Sequence, residues 1–210
     1  MPQSTENLSD DLVHLGRPAR VEGRRVNLPV ELGSTFVFDT MEAFETARDA
    51  RYDTGTLYYG RYGTAASFGL EDLLAQLEGA ASVTLTSSGV AAISSALMAF
   101  CDSGKHLLVA DNVYGNTRAF CDSMLPRLGV EVEYFDPMTG AALAERIRET
   151  TCAVMFEAPG SGTFEVPDIP AITAAARAAG VPSILDGTWA TPIFCRPLTL
   201  GADVVVASMS

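Results

Sequence analysis

The chain has 210 residues, 48% of them apolar, with a formal charge of −12 and an isoelectric point near 4.5. That length can bury a sizeable core in one or two domains, and an acidic chain without a basic stripe excludes nucleic-acid binding and attraction to anionic membranes. No run approaches the ~18 apolar residues of a membrane helix, and the polar, acidic start from Met1 to Asp11 is no secretory signal.

Residues 1–64 are rich in Arg, Gly, Tyr and Pro, with one short predicted helix, Thr40 to Ala50. They hold no self-contained core and read as an extended arm that packs on something else. From Ala65 to Ser210 helix and strand alternate. Leu70, Leu73, Leu74 and Leu77 recur at helical spacing and predict a helix over Phe68–Leu77, stopped by Gly79. A strand over Ser82–Thr86 and a buried helix over Gly89–Phe100 follow. Next come a strand at His106–Ala110, a helix around Thr117–Leu128 and a strand at Glu131–Phe135. A helix over Ala141–Glu149, a strand over Cys152–Glu157 and a helix over Ile169–Ala179 complete the middle. Strands at Ser183–Asp186 and Asp203–Ala207 end the series. Short apolar strands separated by helices indicate βαβ units and a mostly parallel α/β sheet.

The four cysteines, Cys101, Cys121, Cys152 and Cys195, show no C-x-x-C and no metal-type clustering, so no metal site is expected. Each lies in or beside an apolar segment, as reduced, mostly buried thiols of a cytosolic protein do. Lys105 is the only lysine.

In an open α/β sheet, ligands bind outside the carboxyl ends of the strands. Several predicted strands end there in polar or aromatic groups. Thr86-Ser-Ser88-Gly89-Val90 joins a strand to a helix, where free backbone N–H groups and the helix dipole can hold a phosphate; taken alone, the segment reads first as a plain serine cap with a glycine turn, since such caps are common. It is no Walker loop, because no Gly-Lys-Ser/Thr follows. Tyr114 lies on the loop after the next strand, either stacked on a flat ring or simply on the surface. Glu157-Ala-Pro-Gly-Ser161 and Asp186-Gly-Thr188-Trp189 end two more strands, and Ser208 and Ser210 follow the last. One acid and two hydroxyls at that edge suggest a phosphorylated, nitrogen-bearing cofactor.

Taken in order, Tyr58-Tyr-Gly-Arg61-Tyr-Gly-Thr64, Ser87-Ser-Gly89, Tyr114, Glu157-Ala-Pro-Gly-Ser161, Asp186-Gly-Thr-Trp189 and Ser208-Met-Ser210 resemble the Cys/Met-metabolism family of pyridoxal-phosphate enzymes. The resemblance runs from about Leu32 to Ser210. It implies a type I, aspartate aminotransferase-like fold, with a mostly parallel mixed sheet flanked by helices. The implied cofactor is pyridoxal 5'-phosphate (PLP). Gly89 and Val90, next to Ser88, would offer N–H groups to its phosphate, joined by the hydroxyls of Ser208 and Ser210. Tyr59 and Arg61 would reach the phosphate of a neighbouring subunit. Tyr114 would stack on the pyridine ring, Asp186 would pair with its nitrogen, and Thr188 would lie close to the ring. Tyr114 and Asp186 are the implied catalytic groups of this chain. The family's Schiff-base lysine is expected immediately after Ser210, with a C-terminal portion beyond it, and Lys105 matches nothing in the pattern.

The arm motif and Pro159-Gly-Ser161 resemble the bacterial cystathionine β-lyase branch. That branch implies a carbon–sulfur lyase in methionine biosynthesis, which acts by β-elimination on L-cystathionine or a related sulfur amino acid. The products are pyruvate, ammonia and a thiol. Gly187, where the branch usually has Asn, and Ala158, where Ser is common, depart from it. The γ-elimination, γ-replacement and racemase reactions of the same fold therefore stay open, as does a lysine-less relative that binds a phosphorylated ligand without chemistry. The resemblance also implies a cytoplasmic homotetramer of two active-site-sharing dimers.

Overall fold

The structure is a computed structural model that describes Leu15 and residues 27–209. It divides into two compact units, Met1–Leu85 and Thr86–Ser210, a boundary that lies beyond the change of composition at 64/65.

In the first unit, helix α1 (Met41–Asp49) buries no residue, and its Thr40 hydroxyl caps it by accepting from Ala43 N–H at 3.1 Å. Helix α2 (Ala65–Glu78) opens on a reciprocal cap between Thr64 and Ser67 and closes on Gly79 at φ 70°, a left-handed conformation that favours glycine. Aromatic rings do much of the local packing, with Phe44 lying 5.7 Å from Phe38 and 5.6 Å from Tyr58. A single antiparallel bridge joins Thr35 to Tyr59. Val30, Leu32 and Val37 are almost fully exposed.

The second unit is built on a five-stranded, all-parallel sheet in the order β2-β1-β3-β4-β5. Its strands are β1 (His106–Ala110), β2 (Glu131–Phe135), β3 (Thr151–Glu157), β4 (Ser183–Asp186) and β5 (Val204–Val206). Every residue of β1 and β4 is buried, as expected of parallel strands covered on both faces. Helix α3 (Gly89–Phe100) packs on α4 (Gly115–Ser123), β3 and β5, while α5 (Ile169–Ala178) packs on β4 and on a 3₁₀ segment, Pro137–Arg146. Right-handed crossovers that step from β1 to β2 on one side and from β3 to β4 on the other place these two helical groups on opposite faces. The core between them includes Leu97, Leu107, Leu108, Phe156, Ile172 and Leu185.

Most expected elements recur with ends shifted by no more than three residues, the helix expected from Phe68 beginning at Ala65, and the larger differences have local causes. Ser82–Thr86 alternates half-buried Val83 and Leu85 with exposed neighbours, yet pairs with no strand among the described residues. Alternation alone makes no strand without a neighbour to complete the ladder. The Leu85 N–H instead donates to the Glu71 carboxylate at 3.4 Å. The helix expected over Ala141–Glu149 is 3₁₀ in character and ends at Arg146; Gly140, at φ 55° and ψ −132°, breaks continuity with the turn that Pro137 begins. The helix around Thr117–Leu128 begins at Gly115 and stops at Ser123, and Pro126, which has no N–H to donate, opens a separate 3₁₀ turn. The last strand is trimmed to Val204–Val206, preceded by the short helix α6 (Thr191–Phe194) and a 3₁₀ turn that the pattern did not reveal.

All four cysteines are free thiols, with Cys101 and Cys121 buried and Cys152 and Cys195 half-buried. Among the described residues no helix is long and apolar enough to cross a membrane.

Candidate functional site

A cavity of about 290 Å³ opens at the carboxyl edge of the sheet. Its wall gathers Ser88, Gly89 and Val90 from the cap and start of α3, Tyr114 after β1, Glu157 and Asp186 at the ends of β3 and β4, and Thr188 and Ser208 beyond β4 and β5.

Each wall has a local cause. Ser88 is the N-cap of α3, and its hydroxyl accepts from Ala91 N–H at 3.1 Å. The serine side chain is therefore occupied as a cap, while the first-turn N–H groups of Gly89 and Val90 have no intrahelical acceptor. They stand at the positive end of a twelve-residue helix. Glycine is required at position 89 because a Cβ there would lie 2.8 Å from Ser208 Cβ and 3.1 Å from its Oγ. That close approach brings backbone N–H groups and a serine hydroxyl to one anion-sized place.

Asp186 is 4% exposed. The backbone N–H and the hydroxyl of Thr188 donate to its Oδ1 at 3.0 and 2.6 Å, and the Ser208 N–H donates to Thr188 Oγ1 at 2.9 Å. The carboxylate is thus fixed in orientation by a chain of bonds that runs back to Ser208. Glu157, 2% exposed, faces the same cavity. Burial pushes its carboxyl above the ordinary range; the Ser161 hydroxyl opposes this, Asp186 adds to it and the Tyr114 N–H opposes it. Among the described residues neither acid takes part in an ion pair.

The structure brings Ser88, Gly89, Val90, Tyr114, Asp186, Thr188 and Ser208 to one cavity. Tyr59 and Arg61 belong to the first unit, whereas every residue of the cavity wall belongs to the second. The Arg61 guanidinium lies over the rings of Tyr59 and Tyr62 at 5.5 and 5.3 Å. Ser210 lies outside the described residues. Lys105 precedes β1 and so sits at the opposite edge of the sheet from Asp186. Sequence reasoning quoted Glu157, Ser161 and Trp189 within motifs but gave them no place in the site, and all three line it. Their position at or just after strand ends was the available signal. Trp189 stands at an exposed part of the wall, edge-on to Phe164 with ring centroids 5.2 Å apart.

A parallel α/β sheet whose carboxyl edge joins a helix N-terminus, an exposed tyrosine and a buried, unpaired carboxylate defines a site for an anionic, cation-bearing aromatic ligand. The profile of the Cys/Met metabolism PLP-dependent enzymes matches residues 9–210, and the chain belongs to that family. It is 36% identical over 203 residues to cystathionine beta-lyase MetC of Escherichia coli, covering 96% of this chain and 51% of the relative. A Rhizobium johnstonii protein provisionally named a cystathionine beta-lyase is 44% identical over 195 residues, covering 93% of this chain and 48% of the relative. The crystal structure of cystathionine gamma-lyase from Lactobacillus plantarum superposes with a TM-score of 0.83 at 29% identity, covering 98% of this chain and 50% of that one. The chain spans about half the length of the curated relatives it matches. Its parallel sheet and helices are those of the type I PLP fold.

Proposed function

We propose that this chain forms the cofactor-binding part of a PLP-dependent carbon–sulfur lyase that performs β-elimination on L-cystathionine or a related sulfur amino acid. The products would be pyruvate, ammonia and a thiol. The observation that carries the reading is Asp186, a buried carboxylate with no ion-pair partner among the described residues, held by Thr188 at the rim of an anion-sized cradle.

The residues present fit the cofactor. The N–H groups of Gly89 and Val90 and the hydroxyls of Ser208 and Ser210 would hold its phosphate, and Tyr114 would cover its ring. Asp186 would hold a proton on the ring nitrogen, since a buried carboxylate favours a neighbouring cation. Thr188 holds the carboxylate by its Oδ1 and so keeps it from rotating away. PLP, once bound, supplies the electron sink that makes a substrate Cα proton acidic.

Tyr59 and Arg61 would complete the phosphate site of a neighbouring subunit, in a homotetramer of two active-site-sharing dimers. The exposed Val30, Leu32 and Val37 of the first unit support this, because an apolar segment without its own core calls for a covering surface. Four free thiols support a cytoplasmic location, and the β-lyase relatives support a place in methionine biosynthesis.

The intact protein, purified with PLP, should release pyruvate and a thiol from L-cystathionine. A second reading, γ-elimination, γ-replacement or racemisation, is favoured by Gly187 and Ala158 and by the γ-lyase structure that superposes on this chain. Formation of 2-oxobutyrate or a D-amino acid without pyruvate would decide for it.

A further inference from the structure

Glu157 and Asp186 are register partners at the ends of β3 and β4, so the two acids leave the sheet side by side. Only one of them can face the ring nitrogen of a planar cofactor. What the other does follows from its hydrogen bonds. Glu157 Oε2 accepts from the Tyr114 backbone N–H at 2.6 Å, and Oε1 accepts from the Ser161 hydroxyl at 2.7 Å. Ser161 N–H in turn donates to the carbonyl of Asn112 at 3.0 Å. One carboxylate therefore ties the loop after β1 to the loop after β3.

Tyr114 needs such a tie. It immediately precedes α4 with no side-chain cap, and the residue is 45% exposed. Among the described residues its hydroxyl meets only the exposed Asn116 amide, at 3.0 Å. No buried neighbour fixes the plane of the ring from the tip, so the pitch of the ring is set from the backbone.

We infer that Glu157 is a positioning residue, whose carboxylate holds the Tyr114 backbone so that the ring lies flat against the bound cofactor. The inference rests on the PLP reading of the cavity. It gives a use to both oxygens of the second acid buried beside Asp186, one bonded to each loop. A glutamine in its place would preserve the arrangement, with the side-chain carbonyl accepting from Tyr114 and the amide donating to the Ser161 oxygen. Alanine removes both bonds, and aspartate is too short to span both partners.

The test uses the intact protein and its Glu157→Ala, Glu157→Asp and Glu157→Gln variants, alone and with Tyr114→Ala. PLP dissociation constants and the circular dichroism induced in the cofactor's visible band are measured, with thermal melting as a check on folding. Glu157→Ala should weaken PLP about tenfold, the scale of one lost hydrogen-bonded contact, and alter the induced band. Glu157→Asp should do so partially, and serves if the alanine variant does not fold. Glu157→Gln should restore both readouts. With Tyr114→Ala already present, the Glu157 substitutions should have no further effect, because the residue acts through that ring. Additive losses, or unchanged affinity and dichroism in the alanine or aspartate variant, would overturn the inference while leaving the PLP site standing. Failure of the wild-type protein to bind PLP would overturn both.

Discussion

Around the start of β1 and along β2, His106 and the acids Glu131 and Glu133 lie among Arg146 and Arg148. At the carboxyl ends of β3 and β4, Glu157 and Asp186 are more deeply buried than those acids and, among the described residues, take part in no ion pair. Arg148 bridges both β2 carboxylates, and His106 Nδ1 meets Thr151 Oγ1 at 2.9 Å. The carboxylates and guanidiniums at that end are balanced within the chain and exposed enough to be solvated, with His106 buried beneath them. At the other end burial is nearly complete and the balance is missing. An uncompensated buried charge costs several kcal/mol, so it persists where a ligand completes it. The contrast separates structural electrostatics from a binding site on one sheet.

Substitutions at the carboxyl edge should cost function more than stability. Asp186→Asn keeps an oxygen for both Thr188 bonds yet removes the negative charge. It should lower kcat/KM at least about a hundredfold, the scale of losing one preorganised electrostatic group. The melting temperature of the cofactor-free protein should not fall. A large drop in melting temperature would place Asp186 with the structural charges instead. Gly89→Ala comes next. Its new methyl group meets Ser208 and should weaken PLP by about tenfold, or ~1.4 kcal/mol, read by absorbance titration.

The two ends should also respond to pH with opposite sign. Burial raises the Glu157 carboxyl above its ordinary 4.5, so its stabilising contribution is whole below that value and is lost as pH rises through the raised one. In the cofactor-free state, Glu157→Gln should therefore gain on the wild type as pH rises above 4.5. His106 is lowered from 6.5, first by burial and then by Arg148. Its contribution is whole above 6.5 and is lost as pH falls through the lowered value, so His106→Gln should flatten the acid limb of a stability–pH profile. Two slopes of the same sign would erase the distinction. The smallest effect belongs to Arg148→Ala at the balanced end. The melting temperature should hardly change, and any change should vanish at high salt.

Much of this frame was readable in the chain. Helix Gly89–Phe100 and strands His106–Ala110, Glu131–Phe135 and Ser183–Asp186 have the expected bounds: the helix and two of the strands are mostly apolar runs, Glu131–Phe135 alternates acids with Val and Tyr, and an acid lies at or just past each end. Carboxyl-edge residues could be assembled into a site because a parallel sheet brings those ends together whatever their separation in sequence. Features that depend on distant partners were not readable. Val83 and Leu85 alternate like a strand but find no neighbour to pair with. The alanine-rich stretch after Gly140 favours a helix by propensity, yet follows a backbone conformation that only glycine adopts readily. Glu157 stood in a quoted motif without a role, since its partner Tyr114 lies 43 residues away and the link is to a backbone N–H. A side chain's sequence neighbours carry no trace of such a bond.

The central claim is that Asp186 keeps a proton on the nitrogen of an aromatic cofactor seated against the Gly89 turn. Nitrogen-15 NMR of ring-labelled PLP bound to the intact protein measures that proton directly. The account predicts a protonated nitrogen in the wild type throughout the neutral range and a largely unprotonated one in Asp186→Asn. A nitrogen without its proton in the wild type, or one indifferent to the substitution, would contradict it.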